Sequence, residues 1–263
     1  MASPARTHDA VVLIAEDNAI NCTVAQALLA ARGLHTAVAR DGREAVQMAR
    51  DNAYDAIFMD CNLPVVDGYE ATRQIRSASN GRHVPIIAMT ALSMPIDREC
   101  CLAAGMDDFL SKPIDREQLD CVVQRWLPTA SAPPRAEAGA QPQEAAEGDE
   151  DQQVLDEATV QLLKEALPPE RRRQLVAAFE AQLERGVTEV AGAISRHDPD
   201  ELRRVADLLK GSSATFGASR LRLCCSELEK SARWSAAALG ERQLDQLRAS
   251  AEEAREALRE ALL

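Results

Sequence analysis

The strongest constraint on the fold is a pattern that repeats five times before residue 128. Each time, a short apolar run is followed by an amphipathic stretch of helical length, the kind of crossover connection that parallel strands need. Five strand–helix units therefore predict an α/β domain in which helices cover both faces of a parallel sheet. The apolar runs are VVLIA, TAVA, AIFM, PIIAM and DFL, and the helical stretches are 19–32, 42–51, 69–76, 96–104 and 116–126.

The composition changes where this pattern ends. Residues 129–152 are rich in Ala, Pro, Gln and acidic residues and show no apolar periodicity, so they cannot bury a core and are predicted to form a flexible acidic linker. The alternative is a solvated helix, which prolines in this segment would interrupt. From 153 to 263 the apolar spacing is helical, which predicts an antiparallel helical bundle. We therefore expect one domain at 9–128 and a second at 153–263.

Charge and apolar content restrict the function. The formal net charge is −12, and the resulting acidic field disfavours nucleic acid and anionic lipid as partners. No apolar run reaches the roughly 18 residues that span a bilayer, and the first residues lack the apolar region of a secretory signal. The sequence thus predicts a cytoplasmic protein without membrane or nucleic acid partners. It contains no nucleotide-binding loop or kinase motif, so we expect a protein that accepts phosphate without a kinase catalytic core.

Polar side chains stand within two residues of the end of four of the apolar runs. Glu16 and Asp17 follow the first run, and Asp60, Thr90 and Lys112 follow the third, fourth and fifth. Because the carboxyl ends of parallel strands border one crevice, these side chains are expected to converge. Clustered carboxylates repel one another and call for a cation, and hard oxygen ligands suit Mg²⁺. Beside Mg²⁺ and a lysine, a carboxylate can attack a phosphoryl group and form an aspartyl phosphate.

Four segments carry a family resemblance that favours this chemistry. LIAEDNAIN, FMDCNLPVVDGYEATRQIR, AMTAL and DFLSKPI resemble the receiver domains of two-component signalling, in the style found on hybrid sensor kinases. The resemblance implies a flavodoxin-like (βα)5 fold with strand order 2-1-3-4-5. It also implies a cis peptide between Lys112 and Pro113. The structural alternative is that Glu16 and Asp17 cap the following helix and that Lys112 is a surface charge.

The resemblance to receiver domains also implies a role for each residue of the cluster. Asp60 would be the phosphoacceptor, and its phosphorylation would remodel the surface near the fourth helix and fifth strand. An upstream sensor histidine kinase or a phosphotransfer protein would be the partner. The implied residues are Glu16, Asp17, Asp60 and the backbone carbonyl of Asn62 for Mg²⁺, Thr90 and Lys112 for the phosphoryl group, and Thr90 and Phe109 for the switch.

In the second domain a helix is predicted to begin at Pro199. Asp198 can cap this helix, and Glu201 would complete a capping box by reaching back to residue 198. Residues that can be buried then recur at spacings of three and four, which defines a stripe on one side of the helix. The stripe contains Leu202, Val205, Leu209, Ser212 or Ser213, and Phe216.

The second domain resembles a histidine phosphotransfer (HPt) domain. The matching segments are LDEATVQLL, FEAQLERGVTEVAGAI and DPDELRRVADLLKGSSATFGASRLRLCCSELE. That family carries a phosphorylatable histidine in the pattern A-H-x-L-K-G-S-S, where this chain has Asp207. Lys210 and Gly211 match the pattern. His197 would lie more than two helical turns upstream, roughly 15 Å away, and cannot replace the missing imidazole.

Asp207 is not expected to carry a phosphoryl group. It lacks an acidic pocket for Mg²⁺, and with Arg203, Arg204 and Lys210 nearby it should simply stay ionised. A docking face would remain able to bind a receiver, its own or another, without transferring phosphate. The residues of this face are Arg203, Asp207, Lys210, Gly211 and Ala214.

The leading functional hypothesis is a phosphorelay protein in which the receiver accepts phosphate on Asp60 and the bundle acts by binding. Two alternatives stay open. In the first, the bundle is an active histidine phosphotransferase whose histidine is replaced by Asp207 in this sequence. In the second, the receiver is inert and the chain is an interaction scaffold, which the complete set of acidic residues disfavours.

Overall fold

The computed structural model describes residues 10–78, 83–90, 95–127, 154–234 and 241–263. The chain divides into two compact units, Met1–Pro134 and Arg135–Leu263. The predicted linker at 129–152 lies outside the described residues, so its flexibility stays a prediction. Across the described part of the chain, no helix has the length and apolar character needed to cross a membrane.

The first unit contains a parallel sheet of five strands. The strands are β1 (Val11–Ala15), β2 (His35–Ala39), β3 (Ala56–Asp60), β4 (Ile86–Thr90) and β5 (Asp108–Ser111). Their order across the sheet is β2-β1-β3-β4-β5, as predicted. Every residue of β3 and β4 is buried, which means that both faces of the sheet are covered there.

A helix follows each strand, which confirms the predicted alternation. The first helix ends at Ala30, two residues earlier than predicted, and Gly33 then adopts a left-handed conformation with a φ of 75° that turns the chain into β2. Asp41 and Asp115 cap the second and fifth helices with their side chains. The helices are α1 (Ala19–Ala30), α2 (Gly42–Asp51), α3 (Gly68–Ala78), α4 (Pro95–Ala104) and α5 (Arg116–Trp126).

A charged cluster fastens the amino-terminal ends of β4 and β5. Asp107, which lies just before β5, accepts hydrogen bonds from the Arg76 guanidinium at 2.6 Å and from the N–H of Ile86 at 2.8 Å. Arg76 also donates to the carbonyl oxygens of Val84 at 2.7 Å and Gly105 at 2.9 Å. One ion pair thus joins α3 to two strand ends at the edge of the sheet opposite to the predicted site.

The second unit is a bundle of helices. The helices are α6 (Glu157–Ala166), α7 (Pro169–Arg196), α8 (Pro199–Thr215), α9 (Ser219–Trp234) and α10 (Glu241–Leu262). α7 and α9 each pack against α8 and α10, so that four helices close a ring, and α6 packs against α7 and α10. Short connections between successive long helices make neighbours antiparallel, as predicted.

The core of the bundle is centred on α8. The ring of Phe216, which follows α8, lies 4.4 Å from the ring of Phe179 on α7, measured between centroids. Gly186 lets α7 and α8 approach closely, because a Cβ there would lie 2.7 Å from Cδ2 of Leu209. The predicted stripe is confirmed as buried: Leu202, Val205, Leu209, Ser212, Ser213 and Phe216.

The start of α8 confirms one half of the predicted capping box. Oδ1 of Asp198 accepts a hydrogen bond from the N–H of Glu201 at 3.0 Å. Glu201 does not reach back, because its carboxylate binds Arg204 at 2.7 Å. The N–H of Asp198 donates instead to the carbonyl of Ala193 at 3.0 Å. The predicted return bond is wrong because the turn at His197, which is left-handed with a φ of 54°, already supplies that N–H with a partner.

Candidate functional site

The predicted polar residues meet at the carboxyl-terminal edge of the sheet. Glu16 and Asp17 follow β1, Asp60 ends β3, and Lys112 follows β5. One carboxylate oxygen from each of Glu16, Asp17 and Asp60 lies within 4.8 Å of the others. Glu16 and Asp60 are buried and Asp17 is exposed, so the cluster opens to solvent on the Asp17 side.

Lys112 joins two of these carboxylates. Its Nζ lies 2.6 Å from Oε2 of Glu16 and 2.6 Å from Oδ2 of Asp60, and all three side chains are at most 10% exposed. The N–H of Lys112 donates to the carbonyl of Thr90 at 2.7 Å, which ties the residue to the end of β4. The peptide bond to Pro113 is cis, as the resemblance implies. The alternative in which Lys112 is a surface charge is therefore wrong.

Two asparagines that were not predicted as site residues hold Glu16 in place. Nδ2 of Asn21 donates to Oε1 of Glu16 at 3.0 Å, and the N–H of Asn18 donates to the same oxygen at 3.3 Å. The Asn18 side chain caps α1 by accepting from the N–H of Ile20 at 2.9 Å, so the alternative in which Glu16 and Asp17 cap this helix is wrong. Asn21 is detectable in the sequence as a polar residue on the apolar stripe of a predicted helix.

The loop after β3 fixes the Asp60 carboxylate. Oδ1 of Asp60 accepts from the N–H of Asn62 at 3.0 Å, and the N–H of Gly68 donates to the carbonyl of Cys61 at 3.0 Å. A Cβ at Gly68 would lie 2.0 Å from the carbonyl oxygen of Asp60, so this close approach requires glycine. Val65 has a φ of 69°, which is uncommon for a β-branched residue and costs free energy. The Asn62 carbonyl stays a predicted Mg²⁺ ligand.

Burial and the charges of neighbouring groups shift the pKa values of the residues in this cluster. Burial, partly opposed by the ammonium of Lys112, raises the pKa of Asp60 to about 6, and the Glu16 carboxylate adds to this rise. Although Asp17 as a whole is exposed, partial desolvation of its carboxylate within the cluster and the nearby Asp60 raise its pKa. Burial alone would lower the pKa of Lys112, but Asp60 and Glu16 raise it above its ordinary value, so the lysine stays charged. One lysine does not balance three carboxylates, and the excess negative charge attracts a cation.

The chemistry of the donor atoms fits Mg²⁺. The three carboxylates offer hard oxygen ligands, and the exposed side of the cluster leaves room for the water molecules that Mg²⁺ retains. Within the described residues, no other group of three His, Cys, Asp or Glu side chains is close enough to hold a metal ion. Softer metals prefer nitrogen or sulfur ligands, which this cluster does not provide.

The predicted switch residues lie on two neighbouring strands. Thr90 is buried at the end of β4 and is in register with Ser111 of β5. Phe109, two residues earlier on β5, is partly buried against the core, and Cζ of Arg98 lies 5.6 Å from its ring centroid. Phe109 is itself in register with Ala88, so the two predicted switch residues lie two positions apart along one pair of strands. Their part in switching stays a prediction.

In the second unit, Asp207 forms an ion pair within α8. Its Oδ1 lies 2.8 Å from Nζ of Lys210, one turn later, and Lys210 also contacts Glu229 of α9 at 2.6 Å. Burial alone would lower the pKa of Lys210, but the two carboxylates raise it. Arg203 and Arg204 pair with other acidic side chains. Of the three basic residues expected near Asp207, Lys210 therefore forms the ion pair with it.

The predicted docking face is only partly on the surface. Arg203 is exposed, and Asp207, Lys210 and Gly211 are partly exposed. Ala214 is only 5% exposed, because α8 packs against both α7 and α9 and its buried side is wider than the apolar stripe suggests. Ala214 is therefore a packing residue, and its assignment to the face is corrected. The docking role of the other four residues stays a prediction.

Comparison with known families gives two matches. A model of the response regulator receiver domain matches residues 12–124, and a model of the Hpt domain matches residues 174–257. A two-component response regulator from Oryza sativa subsp. japonica is 43% identical over 119 residues. This match covers 44% of the present chain and 92% of the rice protein.

Other relatives are much longer than this chain. The sensor protein GacS from Pseudomonas syringae pv. syringae is 32% identical over 224 residues, which cover 83% of this chain and 24% of the relative. Hybrid signal transduction histidine kinase I from Dictyostelium discoideum is 41% identical over 123 residues, which cover 44% of this chain and 7% of the relative. The chain thus spans a quarter or less of either protein.

One solved structure similar to this chain is the receiver domain of a sensor histidine kinase from Pseudomonas aeruginosa PAO1, with a magnesium ion coordinated in its active-site cleft. Its sequence identity is 50%, and the match covers 45% of this chain and 98% of that domain. The TM-score is 0.43.

Proposed function

Because the chain belongs to the receiver family of two-component response regulators, we propose that its first unit accepts a phosphoryl group on Asp60 with the help of Mg²⁺. The Hpt match extends the assignment to phosphorelay signalling. We further propose that the second unit binds a receiver without carrying the phosphoryl group. The observation that carries the first proposal is the buried bridge of Lys112 between Glu16 and Asp60, beside the exposed Asp17.

Each residue of the cluster has a part in the proposed reaction. An oxygen of Asp60 attacks the phosphorus atom of the donor, a new O–P bond forms, and the donor leaves with the electron pair of the bond that breaks. Lys112, already 2.6 Å from that carboxylate, follows the negative charge onto the phosphoryl oxygens, to which the Thr90 hydroxyl also donates. Glu16, Asp17, Asp60 and the Asn62 carbonyl would hold Mg²⁺, which when bound would supply positive charge to neutralise the phosphoryl group.

Acetyl phosphate tests the phosphoacceptor proposal directly. The whole chain incubated with acetyl phosphate and Mg²⁺ should gain the mass of one phosphoryl group, and the gain should disappear in EDTA and in Asp60→Asn. The matched control is Asp51→Asn, which removes an exposed carboxylate at the end of α2 and should leave the gain unchanged. Phosphorylation of Asp60→Asn to the wild-type extent would contradict the proposal.

The binding role of the second unit rests on the surroundings of Asp207. Its carboxylate is paired with Lys210 at 2.8 Å, and the carboxylate cluster that fits a metal ion belongs to the first unit. A single shared ammonium offsets less of the charge of an incoming phosphoryl group than Mg²⁺ and a lysine together. The HPt family uses a neutral imidazole as nucleophile, whereas a carboxylate at this position would need the charge neutralisation that Mg²⁺ and Lys112 would give Asp60.

Transfer between two distinguishable chains tests this second proposal. Wild-type chain is phosphorylated, freed of acetyl phosphate, and mixed with ¹⁵N-labelled Asp60→Asn chain, which differs in mass and retains the second unit. We expect no phosphoryl group on the labelled chain and a measurable association between the two, which Arg203→Glu should weaken. A phosphorylated labelled chain, with the group mapped to the peptide containing Asp207, would overturn the binding-only role.

The alternative function is an active histidine phosphotransferase whose histidine is replaced by Asp207 in this sequence. The observation that favours it is that Lys210 and Gly211, which match the family, still reach the surface beside this position. In the same transfer experiment, labelled chain carrying both Asp60→Asn and Asp207→His should then take up the phosphoryl group within minutes. Absence of uptake would favour the binding role.

The partners follow from the same assignment. A sensor histidine kinase or a phosphotransfer protein is the proposed source of the phosphoryl group, and the similarity to GacS over 83% of this chain supports a kinase-linked relay. The chain's own receiver, or another one, is the proposed occupant of the docking face. The net charge of −12 makes nucleic acid and anionic lipid poor partners.

A further inference from the structure

Two buried thiols are in contact with each other, and one of them belongs to the residue that follows the proposed phosphoacceptor. Cys61 follows Asp60 at the end of β3, and Cys101 lies near the end of α4. Their Sγ atoms are 3.9 Å apart, although the residues are 40 positions apart in the chain. Each residue is only 2% exposed, and neither forms a disulfide. The proposed phosphoryl transfer makes no use of either thiol.

We propose that Cys61 and Cys101 are an oxidation-sensitive pair that closes to a disulfide and holds the receiver in an unresponsive state. The regulatory part rests on the proposed function, because it requires that Asp60 be phosphorylated. The oxidant is a hydroperoxide. The two cysteines would thus form a covalent modification site that includes none of the acidic residues.

The reaction balances in two steps. The first sulfur attacks one oxygen of the hydroperoxide, an S–O bond forms and the O–O bond breaks; the sulfur becomes a sulfenic acid, and the other oxygen leaves with a proton as water or the corresponding alcohol. The second thiol attacks the sulfenic sulfur, the S–S bond forms and the S–O bond breaks, and the hydroxyl group leaves with the thiol proton as water. Two thiols are thus oxidised by two electrons and one peroxide is reduced. A resolving thiol in contact with the first favours this step over further oxidation.

Closing the pair must bring the two sulfurs closer together. A disulfide has an S–S length of about 2.05 Å, so the sulfurs must approach by roughly 2 Å. The backbone of Cys61 is held by its own N–H, which donates to Met89, and by its carbonyl, which accepts from Gly68 at 3.0 Å. The backbone of Gly68 lies so close to Cys61 that a Cβ on the glycine would be 3.0 Å from Cα of Cys61. Rotation of the two cysteine side chains, together with any shift of α4, would supply the approach.

The disulfide would join the segment that carries Asp60 to the helix that follows β4. In the proposed function, phosphorylation changes the surface formed by α4 and β5. A covalent bond between α4 and the loop after Asp60 opposes that change. By thermodynamic coupling it also lowers the affinity for any ligand that favours the phosphorylated state. Because both thiols are buried, a peroxide reaches them only when the surrounding structure opens locally, so oxidation is expected to be slow compared with that of exposed thiols.

Peptide mapping of the whole chain tests the chemistry. Reduced protein is treated with hydrogen peroxide, the remaining thiols are blocked with N-ethylmaleimide, and the chain is digested without reductant. We expect a linked pair of peptides containing Cys61 and Cys101, with the mass of two hydrogens lost. Cys100→Ala, which removes the exposed thiol next to Cys101, should leave this product unchanged, whereas Cys61→Ala and Cys101→Ala should abolish it.

Binding of beryllofluoride with Mg²⁺ tests the consequence. Oxidised wild-type protein should bind the phosphoryl analogue about tenfold more weakly than reduced protein, and dithiothreitol should restore binding. Peroxide treatment that modifies Cys100 or Cys121 and yields no linked peptide would overturn the proposal, and so would linkage without an effect on binding. If reduced wild-type protein fails to bind beryllofluoride, the proposed function is contradicted, while the linked peptide still decides the chemistry of the pair.

Discussion

Replacing Asp60 with asparagine should stabilise the first unit at neutral pH, although it removes the proposed phosphoacceptor. Burial raises the pKa of Asp60 from 3.8 to about 6, which means that the folded protein holds the charged carboxylate less favourably than the unfolded chain does. Asparagine has nearly the shape of the protonated carboxyl group and carries no charge. The substitution therefore removes a cost that the wild-type site carries whenever Asp60 is ionised.

The size and pH dependence of this effect follow from the two pKa values. The rise from 3.8 to about 6 corresponds to about 3 kcal/mol of unfolding free energy. We expect a gain of about 1 to 3 kcal/mol, because the ammonium of Lys112 loses one of its two partners in the variant. Below about pH 4 the carboxyl group is protonated in both states, and the gain vanishes. The gain grows as the pH rises and is complete above about pH 6.

Urea unfolding without Mg²⁺ measures the effect. The two tryptophans are Trp126 in α5 and Trp234 in α9, so a Trp234→Phe background lets fluorescence report the first unit alone. The Asp60→Asn variant should unfold at higher urea at about pH 8 and at the same urea at about pH 4. Added Mg²⁺ should stabilise the wild type and leave the variant nearly unchanged. A variant less stable than wild type at the higher pH, or a gain independent of pH, would refute the reasoning.

Three further substitutions test the ion pairs and the packing. Lys112→Met leaves two buried carboxylates without their shared partner and should lower the unfolding free energy by about 3 to 5 kcal/mol in the same titration, partly recovered by Mg²⁺. Gly186→Ala places a Cβ against Leu209 and should destabilise the second unit by about 1 to 3 kcal/mol in calorimetry; unchanged melting would contradict the close α7–α8 contact. Asp198→Ala removes the cap of α8 and should cost about 1 kcal/mol, seen as faster amide exchange in the first turn; unchanged exchange would argue against the cap.

The sheet was predictable because its physical signals are local and strong. Each apolar run had to be a buried strand, since both faces of a parallel sheet are covered, and each amphipathic stretch had to be the crossover. The convergence of Asp60 with Glu16 followed from the rule that strand ends share one edge. The strand order was not in the pattern of apolar residues, and it came from the resemblance to receiver domains.

The side-chain pairings were less predictable, because they depend on distances between separate elements. Nothing in the spacing of α8 shows that Lys210 reaches Glu229 on α9, or that Arg204 turns to acidic residues other than Asp207. The burial of Ala214 was not predicted for a related reason. A helix that packs between two neighbours has a wider buried side than one periodic stripe of apolar residues indicates. The bridging position of Lys112 follows from its strand end, but its contact with two carboxylates at once required the structure.

The Asp107–Arg76 cluster stabilises one edge of the sheet, whereas the proposed site destabilises the other. At the amino-terminal edge, one ion pair fastens strand ends and a helix end through side-chain and backbone hydrogen bonds. At the carboxyl-terminal edge, the acidic residues repel one another and weaken the fold. Substitutions at the carboxyl-terminal edge therefore leave intact the contacts that hold the amino-terminal edge together. A domain of this kind is consequently a tolerant starting point for altered signalling specificity.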